Sequence, residues 1–444
     1  MLETLVKTRV LATAVTLVCL LAAAIPASGE VAIQKVTSDK GITAWLVEDY
    51  TVPIISIRFA FEGGSAQDPE GKGGLAELMT GLFDEGAGGL DSEAFQVKLD
   101  DVGAEMRFNA GRDEIFGSMR MLAENSDEAF DLLRSAIVEP RFDAAPVDRI
   151  RAQMVSGIIA NARDPETEAQ AKWIEALYGD HPYARPDVGT ENTLASITPD
   201  DLRAYHKAVF ARDNLYVAVV GAIDAETVKL QLDRLFGDLP EKPSLNPVAD
   251  VDWKLGQDVR FDYALPQTTL QLALPGVARD APDFFAAYLM NHILGGGTFT
   301  SRLFDEVREK RGLAYGATSS LVTYRHASGL IISTATRSDR AAETLDVIRD
   351  VLQRMATEGP SEAELAAAKK YIIGSYALNA LDSSSAIAST MLSLQIDDLG
   401  IDYMQRRGAM IDAVTLEEVK AAARKLLVAK PAVLVIGPPF TEGG

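Results

Sequence analysis

Residues 295–320 read GGGTFTSRLFDEVREKRGLAYGATSS. Three consecutive glycines, Gly295, Gly296 and Gly297, give a backbone that can turn tightly and approach a ligand closely. Thr298, Thr300 and Ser301 offer N-caps for the amphipathic run Arg302 to Arg311, in which Leu303, Phe304 and Val307 share a face. Gly312 ends that helix, and Leu313 to Ser320 reads as the start of a strand. Arg308 and Tyr315 therefore flank a helix-to-strand turn, seven residues apart.

Outward from this stretch, one pattern occurs twice. Ser196–Leu202 (SITPDDL), leading to VAVVG at 217–221, matches Ala413–Val419 (AVTLEEV), leading to VLVIG at 433–437, about 217 residues on. Each copy sets a threonine three residues ahead of an acid, Thr198 with Asp201 and Thr415 with Glu418, and each closes on a buried strand. IIANARD at 158–164 likewise resembles SYALNALD at 375–382. A period this long indicates domain duplication, not a solenoid.

In the first copy, 42–47, 54–61, 106–109, 115–121 and 215–221 carry strand character. The stretches 71–83, 92–101, 127–138 and 147–161, and one starting at Thr198, carry helical character. Residues 237–257, with Pro240, Pro243, Pro247 and mixed charges, read as an extended linker. The expected organisation is a first domain over 30–237, a linker over 238–258 and a second domain over 259–444. The fold class is α+β, with each copy a sheet covered by helices.

The first 29 residues read as a secretory signal peptide. Lys7 and Arg9 form a basic start, Val10 to Ile25 is apolar but short for a membrane span, and Ala27–Ser28–Gly29 supplies small residues for cleavage. An uncleaved anchor is the other reading. Export, to a periplasm, follows as an expectation. Cys19 is the only cysteine and lies in the leader, which removes thiolate catalysis and cysteine-based zinc sites from the mature chain. A net charge of −21 repels nucleic-acid phosphate and anionic lipid, although such a charge also serves simply for solubility.

In the stretch 295–320, with its glycine run, Ser-Arg-Leu-Phe and Arg-Glu-Lys-Arg-Gly-Leu-Ala-Tyr, the chain resembles the second half of pitrilysin/insulinase-type zinc metallopeptidases. The resemblance spans nearly all of the mature chain. It implies two domains, each a mostly antiparallel sheet under helices, facing each other like a clamshell. It also implies catalytic roles for Arg308 and Tyr315: the tyrosine hydroxyl as a donor to a developing oxyanion, and the guanidinium as a holder of carbonyl or carboxylate groups. Gly295, Gly296 and Gly297 would line the substrate.

The zinc site of that family is missing. It requires H-x-x-E-H on a helix, with the glutamate as base, and a carboxylate ligand about 75 residues further on. Counted from Gly74–Leu75–Ala76, its positions fall on Glu77, Thr80, Gly81 and Gly157. The four histidines, His181, His206, His292 and His326, include no pair at i, i+4 and read as surface or satisfied core residues. Glu77 reads as a lone surface carboxylate, and the glycine-rich 86–89 as a flexible loop or solvated turn.

The resemblance is closest to the zinc-less subunits of split peptidases, bacterial heterodimers and the mitochondrial processing peptidase. It implies no cofactor of the protein's own, zinc in a paralogous partner subunit, and peptide hydrolysis only with that partner. The alternative is a catalytically inactive peptidase-fold binding or scaffold protein.

Overall fold

The computed structural model describes residues 32–440. The leader expected over 1–29 lies outside the described residues. Thirteen strands form among the described residues, the longer ones mostly from runs with β-branched and aromatic residues: β1 Gln34–Thr37, β2 Thr43–Glu48, β3 Ile54–Glu62, β4 Gly86–Ala87, β5 Leu90–Asp91, β6 Glu105–Ala110, β7 Glu114–Leu122, β8 Leu215–Gly221, β9 Asp258–Asp262, β10 Gln267–Pro275, β11 Ala314–Tyr324, β12 Ala327–Arg337 and β13 Ala432–Gly437. The first large sheet runs β1-β2-β8-β3-β7-β6 and the second β11-β12-β10-β13-β9.

Apart from β1, the two sheets are one design. β2 lies parallel to β8, which is followed by antiparallel β3, β7 and β6. β9 lies parallel to β13, followed by antiparallel β10, β12 and β11. The duplication read from the sequence is thus repeated strand for strand. Its two capping boxes also form: Thr198 caps Pro199–Val209 with Asp201 reaching back, and Thr415 caps Leu416–Leu427 with Glu418 doing the same.

One helix pair departs from simple side-by-side copies. Pro165–Tyr178, which the sequence pattern did not announce, buries Ala169, Trp173 and Leu177 not on its own sheet but against Ala273, Ala432, Leu434 and Ile436 of the second. Its counterpart, Ser384–Ile396, packs on β8 and β3 of the first sheet, where Gln395 Nε2 donates to the Val217 carbonyl at 2.9 Å. The copies therefore exchange equivalent helices. Each sheet is covered on one face by helices of its own half and partly on the other by a helix of the opposite half. From Lys35 onward the described residues form one compact unit.

Two local expectations change. The helix expected over 71–83 is reduced to Leu75–Thr80, because Gly74 adopts φ 87° and only there does the helix begin. Residues 86–89 are not a loop: two of them are strand, and only Gly88–Gly89 form the turn, with Gly89 exposed. Gly86–Ala87 pairs with Leu90–Asp91 across Gly88–Gly89 as a tight hairpin, with Gly86 and Ala87 buried.

Candidate functional site

Around the glycine run and Arg308 the backbone is helical, with two widened turns. Gly297 N–H donates to the His292 carbonyl and Lys310 N–H to the Asp305 carbonyl, both at i→i−5. Leu303, Phe304 and Val307 are buried as the amphipathic pattern requires. Gly312, at φ 60°, ends the helix: Leu313 N–H reaches the Val307 carbonyl and Gly312 N–H the Arg308 carbonyl, both at 2.9 Å.

Arg308 lies in the last turn before that cap. Its side chain is about two-fifths exposed, its guanidinium rests over the Phe304 ring at 4.8 Å, and Glu309 approaches only to 3.8 Å. Tyr315 follows the cap on β11, an edge strand, where the register against β12 breaks between Ala314 and Ala317. This bulge turns the ring outward, and Tyr315 is 86% exposed. Thr336 and Thr334 brace the bulge by donating to the Leu313 and Gly316 carbonyls, each at 2.7 Å. The two side chains are presented by one turn, but no hydrogen bond or ring contact joins them among the described residues.

Glu306 anchors the same turn. It is nearly buried and accepts from Lys310 at 2.9 Å and from Arg311, with Arg354 at 3.5 Å. Burial alone would raise its pKa, yet these three cations hold it down at about 2. Arg302 grips Glu364 bidentately at 2.7 and 2.8 Å, fixing the start of the helix.

The glycine run does not make the tight turn expected of it. None of Gly295, Gly296 and Gly297 has a positive φ. At Gly295, which is buried, a Cβ would lie 2.5 Å from Ser319 N and 2.8 Å from Leu303 Cδ1. Its lack of a side chain lets the helix meet β11 closely. Gly296 is exposed.

On the first sheet, Glu77 lies in the first turn of the short helix and Gly81 caps its end one turn later, with Thr80 donating to the Glu77 carbonyl at 2.9 Å. A Cβ on Gly81 would press on Ile150 Cγ2 at 3.1 Å, and Gly157 is exposed on the helix Ala144–Asn161. Glu77 is not a surface carboxylate: it is half-buried, and burial first and Asp187 second raise its pKa. Among the described residues no group of three or more His, Cys, Asp or Glu could hold a metal ion.

Each histidine has another occupation. His206 is half-buried with Nε2 2.8 Å from the Ile137 carbonyl, and desolvation lowers its pKa. His181 Nε2 is 2.7 Å from the Ala249 carbonyl, His292 stacks on Tyr371, and His326 lies 3.3 Å from Asp250.

One network has no trace in the sequence pattern. The tip of the β11–β12 hairpin enters the first half, where Arg325 meets Glu62 at 3.1 Å and Glu114 at 3.2 Å. Its backbone N–H donates to Asp113, whose carboxylate also accepts from the Tyr183 hydroxyl at 2.5 and 2.6 Å. Burial, then the neighbouring Asp113, push Glu114 up to about 7, with Arg325 opposing. Arg325 itself loses to burial but gains more from Glu62 and Glu114, so its pKa rises. The two directions agree once the sharing is counted: one guanidinium serves several acids, and each acid also faces the others.

Residues 44–191 match the family described as insulinase (peptidase family M16), and residues 196–372 the one described as peptidase M16 inactive domain. An uncharacterized zinc protease of Mycobacterium tuberculosis is 28% identical over 350 residues, 77% of this chain and 78% of its own. The non-peptidase homolog YmxG of Helicobacter pylori is 24% identical over 377 residues, 84% of this chain and 86% of its own. The crystal structure of a peptidase M16 inactive domain from Pseudomonas fluorescens, 29% identical, superposes with a TM-score of 0.86, covering 93% of this chain and 99% of that one.

Proposed function

Since the chain belongs to the M16 (insulinase) peptidase family, we propose that it is the zinc-less subunit of an exported heterodimeric metallopeptidase. A paralogous partner would supply the zinc and the glutamate base, and this protein would supply Arg308, Tyr315 and substrate-binding surface. The observation that carries the reading is Tyr315. A bulge braced by two threonines holds its ring 86% exposed at the edge of a sheet, an arrangement that packing does not require. An exposed phenol presented by a rigid turn suits donation to an oxyanion generated in another subunit. Residues 30–237 and 259–444 are then the two peptidase-like domains, and 238–258 their linker.

The test is reconstitution of the full-length protein with the H-x-x-E-H paralogue from the same cell envelope, followed by peptide cleavage. Tyr315→Phe is expected to lower kcat by roughly 10²-fold or more, as loss of one oxyanion donor does, with KM little changed. If no zinc-bearing partner co-purifies with the tagged protein, or if Tyr315→Phe cleaves at the wild-type rate, the split site is refuted. A second reading, an inactive binding or scaffold protein, is favoured by the Helicobacter pylori relative that carries the name non-peptidase homolog.

A further inference from the structure

In the second half, away from Arg308 and Tyr315, the helices Phe284–Asn291, Glu362–Ala380 and Tyr403–Ala413 border a cavity of about 460 Å³. This falls within the range of small-molecule sites, about 300–1,000 Å³. Its walls carry the rings of Phe284, Phe285, Tyr288, Tyr376 and Tyr403, together with two arginines, Arg279 and Arg407.

The arginines differ. Arg279 is fully engaged: it donates to the Tyr403 hydroxyl at 2.7 Å, lies 3.6 Å from Asp397 and rests over Phe284 at 4.3 Å. Arg407 is only 8% exposed and has no acid. Its contacts among the described residues are the Ile372 carbonyl at 3.4 Å, at the limit of a hydrogen bond, and the Tyr376 ring at 4.2 Å. A guanidinium has five N–H donors, and a buried charge without a counter-charge is costly. In a protein of net charge −21, a buried arginine with no carboxylate oxygen within 4.0 Å is conspicuous.

We propose that this cavity binds an apolar or aromatic carboxylate, with Arg407 taking the carboxylate through its fork of N–H groups and the ring walls taking the body. Tyr376 holds the guanidinium plane from one side, which leaves the edge of the fork for the ligand. Asp397 is already matched by Arg279, so the ligand's charge is directed to Arg407. A free small acid and the C-terminal residue of a peptide present the same chemistry. Binding at this cavity does not depend on whether the protein completes a partner's active site.

The experiment is titration calorimetry of the full-length protein with N-acetylphenylalanine, its amide, and a short peptide ending in phenylalanine with a free or an amidated C-terminus. The expected result is binding of at least one acid, with its amide tenfold to a hundredfold weaker. Arg407→Gln is expected to lower acid affinity to that of the amide while leaving the amide unchanged. Binding of the peptide acid alone identifies peptide C-termini as the ligand, and binding of the free acid alone a small metabolite. Equal affinity for acid and amide, or no binding of either acid at millimolar concentration, overturns the proposal. Should Arg407→Gln fail to fold, the comparison of acid with amide on the wild-type protein still decides.

Discussion

Arg325→Met removes the guanidinium that faces Glu62 at 3.1 Å and Glu114 at 3.2 Å, where the second half enters the first. Breaking a buried ion pair from one side costs about 3–5 kcal/mol because the other charge stays buried. Arg325 is one-third exposed here, although Glu114 is only 13% exposed, so about 2–3 kcal/mol is expected at pH 8.

The pH dependence is the sharper signature. Glu114 titrates at about 7 in the native state against 4.5 when unfolded, so between those values the native state holds the extra proton. Its contribution therefore weakens native stability as pH rises from about 4.5 to 7 and is level above. Without Arg325 the native value rises further and the loss extends to higher pH. At pH 5, Glu114 carries its proton with or without Arg325, and the difference between variant and wild type should shrink to about 1 kcal/mol or less.

Urea unfolding followed by tryptophan fluorescence reads this directly, since Trp45 lies on β2, Trp173 on the exchanged helix and Trp253 in the connecting segment. Glu114→Gln should recover part of the loss in the Arg325→Met background at pH 8 but not at pH 5. A variant within about 0.5 kcal/mol of wild type at pH 8, or a deficit that does not change with pH, would refute the reasoning.

Two further outcomes are expected. Gly295→Ala should destabilise by about 1–3 kcal/mol, since the added carbon meets backbone at Ser319, whereas Gly316→Ala has open space and should be near neutral; differential scanning calorimetry of the pair checks this. Glu306→Gln should cost about 1–2 kcal/mol at neutral pH. Because the native carboxyl is depressed to about 2, wild type keeps this contribution above its unfolded pKa of 4.5, and the gap should close as pH falls through 2 in acid-unfolding curves.

The sequence by itself determined the elements whose causes are local. Thr198 with Asp201 and Thr415 with Glu418 announce two helix starts, and both capping boxes form because the caps lie within one turn. Leu303, Phe304 and Val307 announce a buried face, Gly312 a helix end, and the spacing of the copies a duplicated fold. The absence of the H-x-x-E-H ligands was equally legible, since it is a matter of residue identity alone.

What tertiary structure decided is whatever depends on residues far apart in the sequence. The exchange of Pro165–Tyr178 for Ser384–Ile396 cannot be read from either helix, because an apolar stripe does not say which sheet will cover it. Glu77 reads as a surface acid in the sequence, whereas in the fold it is half-buried, and burial and the charge of Asp187 raise its pKa. Arg325 and Glu114 are 211 residues apart, and only the hairpin's entry into the first half makes them a pair. Burial and ion pairing are properties of the neighbours a side chain acquires, and those neighbours come from the fold.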